Sequence, residues 1–234
     1  MVEITWLGHA TFQLKLDSGE VIVLDPWIDG NPKFPKSHTF SRVDAMLISH
    51  GHFDHIHDAI PLAKKFQPKK AIAIFETCHW LEKKGVKNCS GMNKGGTQEV
   101  CGGLKATQVH AVHSCGILDG DEILYGGEAS GYVLHFPDGR TAYFAGDTNV
   151  FTDMSLIEQL YKPKLAFLPI GDHFTMGPRE AALAARLLKA RTIIPMHFGT
   201  FPQLTGTPDA LAAELKDSLE LRIWTLEIGK PVGW

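Results

Sequence analysis

Short apolar runs alternate with helix-like segments along the chain, and this alternation limits the fold more than any other feature. The run over 43–50, VDAMLISH, is short and almost wholly apolar, which is typical of a strand buried on both faces of a sheet. The best helix pattern, over 177–190, begins at a Gly-Pro pair and has apolar residues at helical spacing. The alternation predicts one mixed α/β domain over 1–234, built of two similar halves in which hairpins lead into strand–helix units.

Element boundaries follow from the same patterns. Residues 29–41 contain prolines and no regular period, so they are predicted to form a long surface loop. The apolar period becomes helical over 54–65, which predicts a helix directly after the buried strand. A helix over 208–220 and a final strand over 221–229 are predicted at the carboxyl end.

Composition limits the class of function. The 234 residues are 44% hydrophobic and 21% charged, which is enough apolar material for a substantial core. The net charge is −3, so the broad basic surface of a generic nucleic-acid binder is missing. No apolar run approaches the ~18 residues of a membrane span. We therefore expect a soluble protein with a small-molecule substrate, without a membrane partner and without a large nucleic acid as partner.

The amino terminus and the cysteines bear on the cellular compartment. The first residues, MVEITWLGHATF, lack the basic and apolar regions of a signal peptide. The four cysteines include no Cys-x-x-Cys pair, and a chain of this length needs no disulfides to fold. Both observations predict free thiols and a cytoplasmic location.

Histidines are concentrated in one short segment. Four of the 12 histidines lie within 50–57, which reads HGHFDHIH and follows the buried strand. Burying so many polar groups without partners would cost several kcal/mol each, so they are not ordinary core residues. His50 and His52 alternate along an extended backbone and point the same way, whereas Asp54 and His55 begin a new element and face a second point. This spacing favours two neighbouring metal ions over one, with a solvated turn as the alternative.

Further ligands are available where other predicted strands end. His113 follows the strand that includes QVHAV, Asp147 ends AYFAGD and His197 ends IIPMH. Sites in α/β proteins lie at such strand ends. The recurrence of a metal-binding residue at each end strengthens the metal-site hypothesis.

Together these motifs resemble the metallo-β-lactamase superfamily. The matching elements are HGHFDH, His113-Ser114, Gly146-Asp147-Thr148, Met196-His197 and Asp25 in VLDPW. Additional motifs, WLGHATF, PIGD with FTMGP, and PMHFGT, are similar to the branch of small metal-dependent hydrolases related to the ascorbate-phosphate lactonase group. The resemblance spans nearly the whole chain. It implies a four-layer αββα sandwich with a dinuclear site at one edge of its two sheets.

The resemblance also implies a role for each candidate ligand. It assigns His50, His52 and His113 to one ion, Asp54, His55 and His197 to the second, and Asp147 to both. Asp25 is expected to orient a ligand without binding metal itself. The donors are all nitrogen or oxygen, so the expected cofactor is two divalent transition metal ions, with zinc first and manganese, iron or nickel also compatible.

The expected mechanism is hydrolysis by a shared water. Two ions about 3.5–4 Å apart would lower the pKa of this water toward neutrality, and the resulting bridging hydroxide would attack a carbonyl or phosphoryl group. Asp54 is expected to bind metal and to orient this nucleophile. The leaving group needs a proton, for which His9 is the first candidate, although a hydrogen bond from His9 to a loop is an equal alternative. His173 is the second candidate, as a substrate-binding residue.

Three further positions bear on the pocket. Phe53 stands where many members of the resembled family have a small residue, so it is expected to narrow the pocket. His57 is expected to cap the helix or to be exposed, with a spare ligand as the alternative. Trp27 and Phe34, in the long loop, are candidates to line the pocket mouth.

The leading function is therefore a hydrolase of a small ester, lactone or phosphodiester. The first alternative is a nuclease or cyclic-nucleotide phosphodiesterase, and the charge balance argues only against large nucleic acids. The second alternative is a metal-dependent redox or sensing protein on the same scaffold. Exposed aromatic residues near the long loop leave room for a homo-oligomer.

Overall fold

The strands of the protein form two seven-stranded sheets and one separate hairpin. The structure is a computed structural model and describes residues 1–234. The first strands are β1 (Val2–Trp6), β2 (Phe12–Leu16), β3 (Val21–Leu24), β4 (Ala45–Leu47), β5 (Lys70–Ile74), β6 (Cys89–Met92), β7 (Thr97–Cys101) and β8 (Leu104–His110). The later strands are β9 (Gly116–Asp119), β10 (Glu122–Tyr125), β11 (Ser130–His135), β12 (Thr141–Phe144), β13 (Leu165–Pro169), β14 (Thr192–Met196), β15 (Arg222–Ile223) and β16 (Pro231–Gly233).

Six helices lie between these strands in the chain. They are α1 (Phe53–Ile56), α2 (Ala59–Phe66), α3 (Phe75–Lys83), α4 (Met154–Tyr161), α5 (Pro178–Leu188) and α6 (Pro208–Glu214). None of the six combines the length and the apolar character that crossing a bilayer requires.

The first sheet has the strand order β16-β1-β2-β3-β4-β5-β6, and the second has the order β15-β14-β13-β12-β11-β8-β7. Strands β3 to β6 are mutually parallel, as are β12 to β15, whereas the remaining neighbours are antiparallel. Nearly all of the first sheet comes from the first part of the chain. This division supports the prediction of one domain with two similar halves, which stays a prediction.

Strand alternation explains why the two sheets pack together. In β3, Ile22 and Leu24 point into the main core between the sheets, where they join residues of both sheets such as Phe144 and Phe167. Val23 points the other way, into a second core beneath α2 and α3. Helices α4, α5 and α6 cover the outer face of the second sheet. The result is the predicted four-layer αββα sandwich.

Strand direction decides where the functional side chains meet. In the first sheet, β1, β3, β4 and β5 run the same way, because β2 is antiparallel to both of its neighbours. In the second sheet, β8, β12, β13 and β14 share one direction for the same reason. The carboxyl ends of these strands therefore lie at a common edge of each sheet, where ligands of α/β folds bind.

The helix predicted over 54–65 is two helices in the structure. Helix α1 ends at Ile56, and α2 begins again at Ala59. Pro61 explains the interruption, because its ring lacks an N–H and would clash with the carbonyl of residue 57 in a continuous helix. In α2 this proline lies in the first turn, where no hydrogen bond is lost.

The carboxyl-terminal prediction is also partly wrong. Helix α6 ends at Glu214, and only Arg222–Ile223 of the predicted strand over 221–229 pairs with the second sheet. The chain then crosses to the first sheet, where Pro231–Gly233 pairs with β1. This pairing covers an edge strand that would otherwise expose its backbone hydrogen-bonding groups.

Candidate metal centre

The predicted ligands come together at the carboxyl edge of the two sheets. They follow β4, β8, β12 and β14, and the segment after β4 continues into α1, which carries two of them. Three residues that directly follow strands or turns there, His9, Asp25 and His197, have positive φ angles of 56°, 43° and 54°. Such backbone is uncommon outside glycine and is concentrated at functional sites. These sharp turns place the side chains of all three inside the site.

One group of donor atoms, which we call the outer set, consists of His50, His52 and His113. The Nδ1 atom of His52 lies 3.0 Å from His50 Nε2 and 3.2 Å from His113 Nε2. Donors of a tetrahedral site with bonds of about 2.05 Å are separated by about 3.3 Å. The three nitrogens therefore have the spacing of ligands that share one ion.

The second group, which we call the deep set, consists of Asp54, His55 and His197. The Oδ2 atom of Asp54 lies 3.7 Å from His197 Nε2 and 3.9 Å from His55 Nε2. His9 is adjacent, with its Nε2 atom 3.0 Å from the same carboxylate oxygen. Donor atoms of these four residues all lie within 4.8 Å of one another. The deep set is therefore a second group of donor atoms with the spacing that could hold a metal ion.

Asp147 lies between the two sets. Its Oδ2 atom is 3.0 Å from His197 Nε2 and 3.2 Å from His55 Nε2 in the deep set. The same oxygen is 3.7 Å from His113 Nε2 and 3.9 Å from His50 Nε2 in the outer set. One carboxylate oxygen thus faces imidazole nitrogens of both sets.

Asp25 supports both sets from behind without facing the cavity. It accepts hydrogen bonds from His55 Nδ1 (2.7 Å), from the Ser49 amide (2.7 Å) and from the Ser49 hydroxyl (2.6 Å). The Ser49 oxygen in turn lies 2.9 Å from His50 Nδ1. With Nδ1 protonated in each imidazole, the Nε2 lone pairs of His50 and His55 are directed into the site. Sequence reasoning found Asp25 and missed Ser49, which has no motif of its own.

The two sets differ in their electrostatics. Burial lowers the pKa of His50 and of His52, and it lowers the pKa of His113 to about 4. In the deep set burial acts in the same direction, but the neighbouring carboxylates, Asp147 first, outweigh it and raise the pKa of His197 to about 9. The same carboxylates raise the pKa of His55 well above its usual value. The outer set is therefore a trio of neutral imidazoles, and the deep set is rich in charge.

Several buried polar atoms of the site have no hydrogen-bond partner. They are His55 Nε2, Asp147 Oδ1 and both ring nitrogens of His197. Unpaired buried polar groups are rare because each costs about 1–3 kcal/mol. Nitrogen and oxygen donors that converge without hydrogen-bonding one another are the surroundings that a divalent transition metal ion requires. The residues present therefore fit a metal-binding role.

A cavity of about 520 Å³ opens directly above the site. Its lining consists of His52, Phe53, Asp54, His113, Ser114, Gly116, Leu118, Ile123, Asp147, Phe174, Phe201 and Gln203. The cavity contains no lysine or arginine in its lining, and its volume is that of a typical small-molecule site. Phe53 lines it, as expected from its position in the histidine motif.

The other predicted residues lie outside the cavity. His9 is fully buried and contacts Asp54 and, through Nδ1, the Thr200 hydroxyl at 3.0 Å, so its predicted role as proton donor stays a prediction. His173 is exposed and does not line the cavity, although its neighbour Phe174 does, so its substrate-binding role also stays a prediction. His57 is exposed at the end of α1, as expected.

The prediction that Trp27 and Phe34 line the mouth of the pocket is wrong. Trp27 is buried behind His9, with ring centroids 5.0 Å apart, and neither Trp27 nor Phe34 lines the cavity. One wall of the cavity is formed by the hairpin β9–β10, which was not predicted. Its signal was present, because Asp119-Gly120 between alternating apolar residues is a strong hairpin sequence.

Comparison with known proteins gives concordant matches. A family described as the beta-lactamase superfamily domain matches residues 20–198. A UPF0173 metal-dependent hydrolase from Solibacter usitatus is 66% identical over 233 residues, covering 100% of both chains. Another from Methanopyrus kandleri is 43% identical over 230 residues, covering 98% of both chains.

Solved structures agree with these matches. Igni18, described as a novel metallo hydrolase from the hyperthermophilic archaeon Ignicoccus hospitalis, has a TM-score of 0.86 and 33% identity, covering 99% of this chain and 97% of that chain. The metallo-beta-lactamase fold protein YhfI from Bacillus subtilis has a TM-score of 0.74 at 15% identity, covering 99% of this chain and 98% of that one, and so shares the fold.

Proposed function

The chain belongs to the β-lactamase superfamily and is a metal-dependent hydrolase, and from that premise we propose that it works with two metal ions. In this proposal the outer set binds one ion, the deep set binds the other, and Asp147 is shared. The reaction is the hydrolysis of a small ester, lactone or phosphodiester. The relation to the ascorbate-phosphate lactonase group stays a prediction.

The position of Asp147 carries the proposal. A carboxylate that binds a single ion needs to face the other ligands of that ion only. The Oδ2 atom of Asp147, however, lies within 3.9 Å of two imidazole nitrogens from each set. Bound ions of this kind supply an activated water nucleophile and polarise the substrate oxygen. Zinc suits the donors, as do manganese, iron and nickel, because affinity order alone does not separate them.

The side chains of the protein have distinct parts in this chemistry. Asp54 lines the cavity and its Oδ2 atom is held by His9 at 3.0 Å, which leaves Oδ1 to accept a hydrogen bond from the attacking water. Burial opposes ionisation, but the charge of His55 and the hydrogen bonds from His197 and His9 outweigh it and hold the pKa of Asp54 below its usual range, so this carboxylate stays ionised and can accept a hydrogen bond from water. His9 acts as a positioning residue, because both of its ring nitrogens have partners inside the protein.

Two broader properties are proposed with the activity. All four cysteines are free thiols in the structure, which supports the cytoplasmic location because reducing compartments keep thiols free. A small-molecule substrate is supported by the size of the cavity.

Metal analysis of matched variants tests the proposal. We expect near two transition metal ions per chain in the wild type and one in His52→Ala, which lacks a ligand of the outer set. His57→Ala is the control, since this exposed histidine belongs to the same segment and is expected to keep both ions. One ion in the wild type, or two ions in His52→Ala, would contradict the two-metal proposal.

A further inference from the structure

The cavity above the metal centre has an apolar rim on opposite sides. Phe53 comes from the start of α1, Leu118 and Ile123 from the hairpin β9–β10, and Phe174 from the loop after β13; we call these four the apolar rim. Their exposed fractions are 48%, 57%, 78% and 51%. Large apolar side chains so exposed and grouped around one opening mark a surface that binds an apolar ligand.

The hairpin β9–β10, which carries two of the four rim residues, packs against the segment that contains His50 and His52. Ile117 of β9 is buried. A Cβ atom added at Gly51 would lie only 2.5 Å from the Cγ1 atom of Ile117. At the same, open end of the hairpin, the Gly51 amide donates a hydrogen bond to Cys115 Sγ at 3.3 Å, and the Gly126 amide donates one to the Cys115 carbonyl oxygen at 3.0 Å. The hairpin therefore packs closely against the segment that binds the outer metal. This contact holds Leu118 and Ile123 at a set position above the site.

The cavity offers no protein cation that could bind an anionic group of the substrate away from the metal centre. No lysine or arginine lines it, and the ionisable groups that do, apart from histidines, are the carboxylates Asp54 and Asp147. Phosphate and carboxylate groups are normally bound by arginine, lysine or the amino end of a helix. Helix α1, which begins at Phe53, has only four residues and offers no such end. Recognition of the substrate outside the reacting group therefore depends on apolar contact.

We infer that the substrate is a neutral carboxylic ester with an apolar acyl chain, and this inference rests on the hydrolase function proposed above. The scissile group lies over the metal centre, and the acyl chain lies against the apolar rim. In the reaction the oxygen of water bonds to the acyl carbon and this water gives up a proton, the bond between the acyl carbon and the leaving oxygen breaks, and the leaving oxygen takes up that proton. The products are a carboxylic acid and an alcohol.

Two series of chromogenic esters test the inference with the metal-loaded enzyme. In p-nitrophenyl acetate, butyrate, hexanoate and octanoate, kcat/KM is expected to rise by at most about fourfold per added methylene, and by at least about tenfold across the series. The second series compares p-nitrophenyl hexanoate with the p-nitrophenyl monoester of adipic acid, which has the same ester and a terminal carboxylate. We expect the neutral ester to be preferred at least tenfold.

A charge substitution provides the matched variants. Ile123→Lys places a cation at the rim without disturbing the core, and it is expected to lower kcat/KM for the hexanoate and to raise it for the adipate monoester. Leu219→Lys, at a position 93% exposed and outside the cavity lining, is the control and is expected to leave both values unchanged. Equal responses of the two esters in Ile123→Lys would overturn the inference.

The remaining outcomes separate this inference from the proposed function. Metal-dependent turnover with no dependence on chain length, or turnover of bis(p-nitrophenyl) phosphate alone, overturns the apolar acyl substrate and leaves the hydrolase intact. If no ester is hydrolysed, calorimetry with octanamide and acetamide decides. Tighter binding of octanamide than of acetamide, with a negative heat-capacity change, supports binding of the acyl chain by the apolar rim. Equal binding of the two amides overturns it.

Discussion

The outer and deep sets are built from the same kinds of side chain, but their surroundings differ. His52 and His113 of the outer set are partly exposed to the cavity, whereas His55 and His197 of the deep set are buried. Three carboxylates, Asp25, Asp54 and Asp147, lie on the deep side. Asp147 also faces imidazoles of the outer set, and Asp25 is connected to His50 of that set through the Ser49 hydroxyl. Burial and charge, more than the identity of the side chains, therefore distinguish the two sets.

The comparison shows that one edge of a sandwich can carry two sets of donors that differ in burial and charge. Neutral imidazoles beside solvent favour an ion that is exchanged easily, whereas buried carboxylates favour one that is held firmly. We expect the deep ion to bind first and to leave last.

The largest effect is expected from Asp147→Ala, because this carboxylate is common to both sets. Loss of a residue that only hydrogen-bonds a metal ligand lowers metal affinity or activity by about 10–100-fold. Loss of the shared ligand itself should therefore lower kcat/KM by more than about 1,000-fold. The metal content should fall below one ion per chain. Retention of both ions in Asp147→Ala would show that the two sets are independent.

Proton release should separate the sets in the protein stripped of metal by a chelator. Carboxylates hold the pKa of His197 at about 9 and that of His55 well above its usual value, so both are protonated at pH 7.5 and must lose protons to bind metal. Burial lowers the pKa of the outer imidazoles, and that of His113 is about 4, so they lose none.

Calorimetry in buffers of different ionisation enthalpy measures these protons. The first metal equivalent is expected to release protons and the second about none, so affinity for the first rises with pH between about pH 6.5 and 8, whereas affinity for the second does not. Equal proton release by both equivalents would contradict the contrast.

Substitutions behind the ligands should have smaller and unequal effects. Asp25→Asn weakens the partner of His55 and, through Ser49, that of His50, and it is expected to lower the metal affinity of the deep set by about 10–100-fold and that of the outer set by less. Ser49→Ala removes the partner of His50 Nδ1 and should weaken the outer set, by about tenfold. Metal titration of the two variants measures both constants. An equal loss of affinity at the deep set in Ser49→Ala and Asp25→Asn would refute the assignment of Ser49 to the outer set.

The smallest effect on metal binding is expected from Gly51→Ala. The new Cβ atom would lie 2.5 Å from Ile117 Cγ1, so either the hairpin or the outer set must shift. The free energy of unfolding should fall by about 1–3 kcal/mol, as for other overpacked sites. Denaturant unfolding measures this loss, and the deep ion should be retained. Loss of the deep ion instead would show that the sets are coupled through the backbone.

Much of the site followed from local pattern. His50, His52, Asp54 and His55 are contiguous, and the apolar strands that end before His113, Asp147 and His197 can be read without a structure. The free cysteines and the sandwich were predicted as well. The helix break at Pro61 was missed, although this residue forbids a continuous helix at that point.

Other features depend on contacts between distant segments. Trp27 was expected at the pocket mouth, but packing against His9 places it in the interior. Ser49 connects Asp25 to His50 only because β3 and β4 are adjacent in the sheet. The turn of the hairpin β9–β10 has a local sequence signal, but no sequence pattern indicates that this hairpin packs beside Gly51.

The sequence by itself determined which donors are available and that they stand at strand ends, because hydrophobic periodicity and residue type are local properties. Only the tertiary structure decided how these donors divide into an exposed outer set and a buried deep set. Burial and the distances between charges govern the pKa of each group, and both arise from segments as far apart as Asp54 and His197. The tertiary structure likewise placed the apolar rim above the metal centre, because a hairpin's position is set by packing between distant parts of the chain.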